Sequence, residues 1–331
     1  MKVLLTGCAG FIGCRVAEIL LEKGITVIGM DNMNPYYDRE LKKWRLKSLK
    51  GHNRFEFHNI DIENRRKLKA VFAANDFKHV VNLAARAGVR YSLQNPYVYF
   101  TTNAEGTLNL LELMREFGVK KMVLASTSSL YAGKKVPYRE DMNTETPISP
   151  YAASKKAAET LLYTYHHLYG IAGVVLRYFT VYGPAGRPDM SYFRFIKLID
   201  EGSEIAVFGD GKQLRDFTYV DDIALGTIAA METGGLGYEI INLGDSNPVE
   251  LIYVIRLIEN FLNKKAKIKF KPFHKADMFE TFADIRKAKK LLGWKPAVKI
   301  EDGIERTVKW YLENKKWLKN IGLEEGDERN K

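Results

Sequence analysis

Apolar runs alternate with amphipathic stretches along the first half of the chain. KVLLT is followed by FIGCRVAEILLEKG, TVIGMD, later HVVNLAA, then YFTTNAEGTLNLLELMREFG and KMVLAS. Short apolar runs between helix-period segments predict repeated βα units, and hence an α/β fold with a doubly wound parallel sheet covered by helices on both faces. PYAASKKAAETLLYTYHHL is rich in helix formers and predicts one long helix, and GVVLRYF predicts the next strand. Beyond residue 180 or so the pattern turns irregular, with a loop at TVYGPAGRPDM, a short strand near EIAVFGDG, helices around DDIALGTIAAM and PVELIYVIRLIENFL, and a final amphipathic helix at IERTVKWYLENKKW. This division predicts a main domain over 1–180, a smaller mixed α/β region over 181–320 that returns in places to the main sheet, and a flexible tail over 321–331. No internal repeat or low-complexity segment interrupts it.

Composition supports a folded enzyme-sized chain, since 46% of the 331 residues are hydrophobic, enough for a large core. The net charge of +11 is spread over helices such as RELKKWRLKSLK, which read as solvated faces, and no zinc spacing or aromatic RNA signature accompanies it. Nucleic acid is therefore not an expected partner, though part of the charge suits an anionic substrate. No apolar run reaches membrane-span length, and Met1 and Lys2 lead straight into a strand without a signal-peptide core. Cys8 and Cys14 flank a glycine loop that a disulfide would distort, so they read as reduced thiols and the expected location is cytoplasmic. His166 and His167 have no carboxylate partner at metal spacing, and no metal is expected.

Gly7, Gly10 and Gly13 lie between a predicted strand and a predicted helix. Unpaired amides and the dipole at a helix N-terminus favour phosphate, while glycine lets the backbone come close, so this loop predicts a dinucleotide site. Asp31, ending the second strand, can accept hydrogen bonds from ribose hydroxyls and repel a 2′-phosphate, which favours NAD over NADP. Asp61 and Ile62 follow the third strand, where they would stand beside adenine.

A Tyr and a Lys four residues apart occur three times, at Tyr131/Lys135, Tyr151/Lys155 and Tyr311/Lys315. Gly133 lies inside the first window, and the third sits in an amphipathic helix where Tyr311 reads as core. Tyr151 and Lys155 share one face of a strong helix. A phenol of pKa about 10 is a poor base at neutral pH, and a lysine ammonium one turn away stabilises its phenolate. Tyr151 could then take a proton from an alcohol whose carbon gives up hydride, with Thr127 of the Ser126–Ser128 run holding that hydroxyl.

From TGCAGFIG to LLGWKP and the final helix, the segments NLAA, TTNAEGTLNLLE, PYAASKKAAE, RDFTYVDDIA and ADIRKAKKLLGWKP resemble, in order, those of the extended short-chain dehydrogenase/reductase family. That resemblance implies tightly held NAD, a nucleotide-sugar substrate and a homodimer formed through two long helices. It also implies cofactor contacts from Phe11, Ile12, Asn32, Leu83, Ala84, Ala85, Asn103 and Tyr178. Ser128, Ser129 and Leu130 follow Thr127, so the acidic signatures of 4,6-dehydratases and decarboxylases in this family are missing, which fits epimerisation.

DNMNPYYD, LKKWRLKSL, AARAGVRYSLQNP, STSSLY and RYFTVYGPAGRPDM resemble the UDP-glucuronate 4-epimerase subgroup. Thr127, Ser128, Ser129 and Thr180 would then ring a C6 carboxylate, which must be restrained because a 4-keto uronate is a β-keto acid and loses carbon dioxide readily. Arg187 could hold charge or order its loop, and Arg90 is a further candidate. The resemblance assigns Arg215 to the diphosphate, Phe208 to the uracil pocket and Asp277 to the ribose, although KAD stands where the family has PGD and His274 where Arg or Gln is common. Two alternatives remain open at this point: a UDP-glucose/UDP-galactose 4-epimerase, and a catalytically silent NAD-binding regulator.

Overall fold

The computed structural model describes residues 1–273 and 278–323. Seven strands form one parallel sheet: β1 (Lys2–Thr6), β2 (Thr26–Asp31), β3 (Phe55–Asn59), β4 (His79–Asn82), β5 (Lys121–Thr127), β6 (Ala172–Tyr178) and, after several intervening elements, Tyr238–Leu243. Their spatial order is Tyr238–Leu243, β6, β5, β4, β1, β2, β3, with every neighbouring pair parallel. Because β1 lies between β2 and β4, the winding reverses there, and the crevice beyond the strand ends at that point is where open α/β sheets take ligands.

Alternation along the strands sends side chains to two cores. Val3 and Leu5 join one cluster with Ala17 and Leu20 of the first helix (Phe11–Glu22), whereas Leu4 joins the other with Val80, Leu110 and Met114. Helices of the crossover connections cover the sheet, so its strands bury apolar side chains on both faces. Polar links then fix the strand ends: the Thr6 hydroxyl donates to Asn82 (2.7 Å) and accepts from the Ala84 amide (3.2 Å), tying the loop after β4 to the end of β1.

The helix Pro150–Tyr169 starts where the sequence predicts. Ser149 accepts from the Ala152 amide (3.2 Å), Pro150 occupies the first turn, and Gly170 closes the far end at φ +67°. Three of its residues, Tyr151, Lys155 and Glu159, project toward the end of β5. Buried Glu159 accepts from Ser126 (2.6 Å) and pairs with buried Arg177 on β6 through two bonds of 3.0 and 2.8 Å. Arg177 also donates to the Tyr131 hydroxyl (2.8 Å), which donates to Asn242 (2.8 Å). Tyr131 is thus a core residue, as is Tyr311, whose hydroxyl bonds Asp200 (3.3 Å).

After β6 come three two-stranded sheets: β7 (Thr180–Tyr182) with β10 (Phe217–Tyr219), β8 (Glu204–Phe208) with β13 (Lys267–Lys271), and β9 (Leu214–Arg215) with β12 (Val249–Glu250). Tyr238–Leu243 is β11 in chain order. The final helix, Ile300–Leu318, is anchored by Lys197, whose buried ammonium donates to the carbonyls of Leu318, Lys319 and Ile321 at 2.9, 2.8 and 2.7 Å.

One expectation from composition fails. The basic helix Arg39–Lys50 is not merely a solvated face: Lys42 and Arg45 are buried with Leu41, Leu46 and Leu49, because this helix packs against the first helix and the loops at the sheet's edge. Cys8 and Cys14 are free, buried thiols, with burial pushing Cys14 up to about 12. Among the described residues no helix is long and apolar enough to cross a membrane, and no cluster of His, Cys, Asp or Glu could hold a metal ion.

Removing one partner of a buried ion pair leaves the other charge uncompensated. Arg177→Met is therefore expected to lower the unfolding free energy by about 3–5 kcal/mol, read from urea denaturation.

Candidate active site

A cavity of about 760 Å³ opens at the strand ends, walled by the glycine loop, the ends of β2, β4, β5 and β6, and the later loops. Close approach explains the glycines. A Cβ at Gly13 would lie 2.1 Å from the Gly7 carbonyl oxygen, and one at Gly7, which has φ +73°, would lie 2.7 Å from the Ala84 nitrogen. Gly10 caps the first helix without a side chain. The loop is therefore a tight backbone cradle with helix amides at its edge, a fit for a diphosphate.

Gly7, Gly10, Phe11, Ile12, Gly13, Asp31, Asn32, Asp61, Ile62, Leu83, Ala84 and Ala85 all line this cavity. Asp31 is buried and accepts from the Met33 amide (2.8 Å) and from Lys42 (3.3 Å). Asn32 donates to Asp61 (2.6 Å), joining the second and third strand ends. Asn103 stands behind the wall: it bonds the Arg86 backbone through both amide atoms (2.9 and 3.0 Å) and the Ser154 hydroxyl (2.9 Å), so it shapes the loop. The Tyr178 hydroxyl is taken by Thr227 (2.8 Å), leaving its ring to the cavity.

Thr127, Ser128, Ser129, Tyr151, Lys155 and Thr180 also line the cavity. Thr127 ends β5 and its hydroxyl accepts from the Ser129 amide (3.1 Å), starting the turn Ser128–Tyr131. Burial raises the Tyr151 phenol above the usual tyrosine range, opposed by its hydrogen bond to Thr127 and by the charge of Arg187. Helical spacing puts Tyr151 and Lys155 on one face; the Lys155 ammonium donates to the Ala125 carbonyl of β5 (2.9 Å), and burial brings it down to about 8 against the upward pull of Glu159.

Arg187 pairs with Asp189 and lies over the rings of Tyr36 (5.4 Å) and Tyr37 (6.0 Å). Arg90 stacks on Phe208, 4.3 Å from its centroid, which brings two separately chosen candidates together. Arg215 lines the cavity and donates to the carbonyls of Leu214 (2.9 Å) and Phe279 (3.1 Å). Asp277 and His274 lie outside the described residues, as does the tail from residue 324. Sequence reasoning missed Lys42, Tyr36, Tyr37 and Asp189 on the wall and Arg45 behind it. Asp189 aside, the signal was present in DNMNPYYD and LKKWRLKSL, which look like an ordinary loop and a charged helix until their partners fold over them.

A family profile described as GDP-mannose 4,6 dehydratase matches residues 4–307. The chain belongs to that family, within the extended short-chain dehydrogenases/reductases. Among its relatives, a UDP-glucuronate 4-epimerase of Thermodesulfobacterium geofontis is 59% identical over 319 residues, covering 96% of this chain and 98% of that protein. The crystal structure of the Bacillus cereus UDP-glucuronic acid 4-epimerase with UDP-glucuronic acid and NAD matches with a TM-score of 0.90 at 37% identity, covering 95% of this chain and 100% of that one. The Thermotoga maritima UDP-glucose 4-epimerase with UDP-glucose matches at 0.85 and 32% identity, covering 95% and 99%.

A buried lysine whose pKa is depressed binds its proton less well folded than unfolded, so its cost to stability is present at neutral pH and fades as pH rises from about 8 toward the free value. In the nucleotide-free protein, the melting temperature of Lys155→Met should exceed that of the wild type most at pH 7, and the difference should narrow toward pH 10 in a scanning calorimetry series.

Proposed function

We infer that this protein is a NAD-dependent epimerase that inverts C4 of UDP-glucuronate to give UDP-galacturonate through a 4-keto intermediate. The observation that carries the reading is that the glycine cradle, Tyr151, Lys155 and the hydroxyl residues Thr127, Ser128, Ser129 and Thr180 all line one cavity. Likeness to UDP-glucuronate 4-epimerases over nearly the whole chain supports the same substrate.

When bound along the cradle, NAD supplies the acceptor that takes hydride from C4 and gives it back. Tyr151, as phenolate, takes the proton of the C4 hydroxyl and returns it to the ketone oxygen after the sugar has turned. Burial raises this phenol, and positive charge beside it favours the phenolate that serves as the base. Thr127 orients the reacting hydroxyl, and Lys155 holds the ribose side of the site from its place on the Ala125 carbonyl. Asp31 receives the adenosine ribose, with Asn32, Asp61 and Ile62 beside the adenine. Arg215 keeps the diphosphate fixed while the ketone rotates, since a guanidinium fork suits two phosphate oxygens. Arg90 and Phe208 flank the base, and Asp277 receives its ribose.

Thr127, Ser128, Ser129 and Thr180 favour a carboxylate at C6 over a hydroxymethyl group. Neutral donors hold the carboxylate in one orientation without offering the acid or base that decarboxylation would use. A division at about residue 180 separates cofactor from sugar functions. Homodimerisation and a cytoplasmic location belong to the same reading: the adjoining helices Gly106–Phe117 and Pro150–Tyr169 leave Phe117, Tyr163, Leu168 and Tyr169 exposed, and both thiols are free.

Purified protein without added nucleotide should convert UDP-glucuronate much faster than UDP-glucose in a product assay by chromatography. Faster turnover of UDP-glucose would make it a galactose-type epimerase. Tyr151→Phe should reduce turnover by roughly 10²–10⁴-fold while retaining bound NAD, which separates an enzyme from a silent NAD-binding regulator. Light scattering should give twice the chain mass.

A further inference from the structure

We propose that Arg45 is a positioning residue that holds the sugar-facing loop of the cavity in its working shape by clamping a strained backbone at Ala185. The proposal rests on the epimerase reading above. Arg45 is 1% exposed, although it comes from a helix whose sequence looks solvated. Its guanidinium donates to the Ala185 carbonyl through Nε (3.0 Å) and Nη2 (2.7 Å), and to the Gly186 carbonyl (3.1 Å). Its other nitrogen, Nη1, donates to the Tyr37 hydroxyl (2.7 Å) and to the Ala9 carbonyl (3.1 Å) inside the glycine loop. All of these acceptors are neutral, so the buried cation is spent on fixing backbone and one phenol.

What it fixes is costly to hold. Ala185 has φ +54°, in the left-handed region that a residue with a Cβ disfavours, and such a conformation persists only where surrounding structure over-determines it. Gly186 is pressed so close that a Cβ there would lie 1.8 Å from the Tyr192 hydroxyl. The next residue is Arg187, lying over Tyr36 and Tyr37, whose charge acts on the Tyr151 phenol. Arg45 therefore sets Arg187 from two sides, through the loop that carries it and through the Tyr37 ring beneath it. By the Ala9 carbonyl it ties that loop to the cofactor cradle. Lysine cannot replace it, because one ammonium cannot present the planar fork that reaches both sides.

The chemical consequence concerns the 4-keto intermediate. If the loop shifts, the sugar ring is free to pucker until the C5–C6 bond stands perpendicular to the plane of the C4 carbonyl. That bond then breaks, its electron pair passes into the carbonyl as an enolate, carbon dioxide leaves and C5 takes a proton from water. The two electrons removed from C4 stay with the cofactor, so each such event ends the cycle.

The test uses Arg45→Met and Arg45→Lys, each alone and combined with Ala185→Gly, in the full-length cofactor-loaded enzyme. Turnover and KM for UDP-glucuronate, carbon dioxide released per epimerisation, and amide exchange across residues 187–190 are measured. Either single variant should lower kcat by about tenfold or more, raise the carbon dioxide share and speed exchange in that segment. Adding Ala185→Gly should recover part of all three, because glycine adopts φ +54° without a clamp. Arg45→Lys serves if Arg45→Met does not fold. Lost activity with no recovery by glycine, or with the carbon dioxide share and local exchange unchanged, overturns the proposal. Wild-type protein inactive on UDP-glucuronate would refute the epimerase reading instead, while the exchange measurements would still judge the clamp.

Discussion

Everything in the cavity is referred to one backbone crossing, the Gly7 carbonyl against the first turn of the helix that begins at Phe11. Gly10 donates to that carbonyl at 2.9 Å, and Gly13 could carry no side chain without striking it. The crossing sets where helix amides face the cavity. It also sets where Ala9 presents its carbonyl to Arg45, and how closely the loop after β4 can lie against Gly7. A shift of an ångström there would move both the phosphate cradle and the wall behind it.

Around this crossing the protein spends buried charge in two different ways. Arg177 and Glu159 neutralise each other beneath the end of β5, so the strand that delivers Thr127 is held by an ion pair and by Ser126. Arg45 and Lys197 face carbonyls instead: Arg45 orders backbone oxygens of two separate segments, and Lys197 orders those at the end of the final helix. Guanidinium and ammonium groups suit this task because they offer several donors from one rigid or compact head. Lys155 likewise faces a carbonyl, and burial draws it down to about 8.

At the reacting end, burial raises the Tyr151 phenol above the usual tyrosine range, and Thr127 and Arg187 oppose this. That opposition joins the Arg187 loop to proton transfer as well as to the sugar.

Periodicity in the sequence determined the parallel sheet, the loop between Gly7 and Gly13, and the long helix carrying Tyr151 and Lys155, because these depend on contacts a few residues apart: alternation along strands, four-residue spacing on a helix, a Ser-Pro start and a Gly end. Tertiary structure alone decided which carbonyl the Lys155 ammonium would choose. It also placed Asn103 behind the wall, turned the Tyr178 hydroxyl to Thr227, and buried Lys42 and Arg45 in a helix that composition assigns to solvent. Each of those outcomes depends on atoms brought together from different segments of the chain. No local pattern encodes them, since a charged side chain is buried only when distant carbonyls or carboxylates arrive to replace its water.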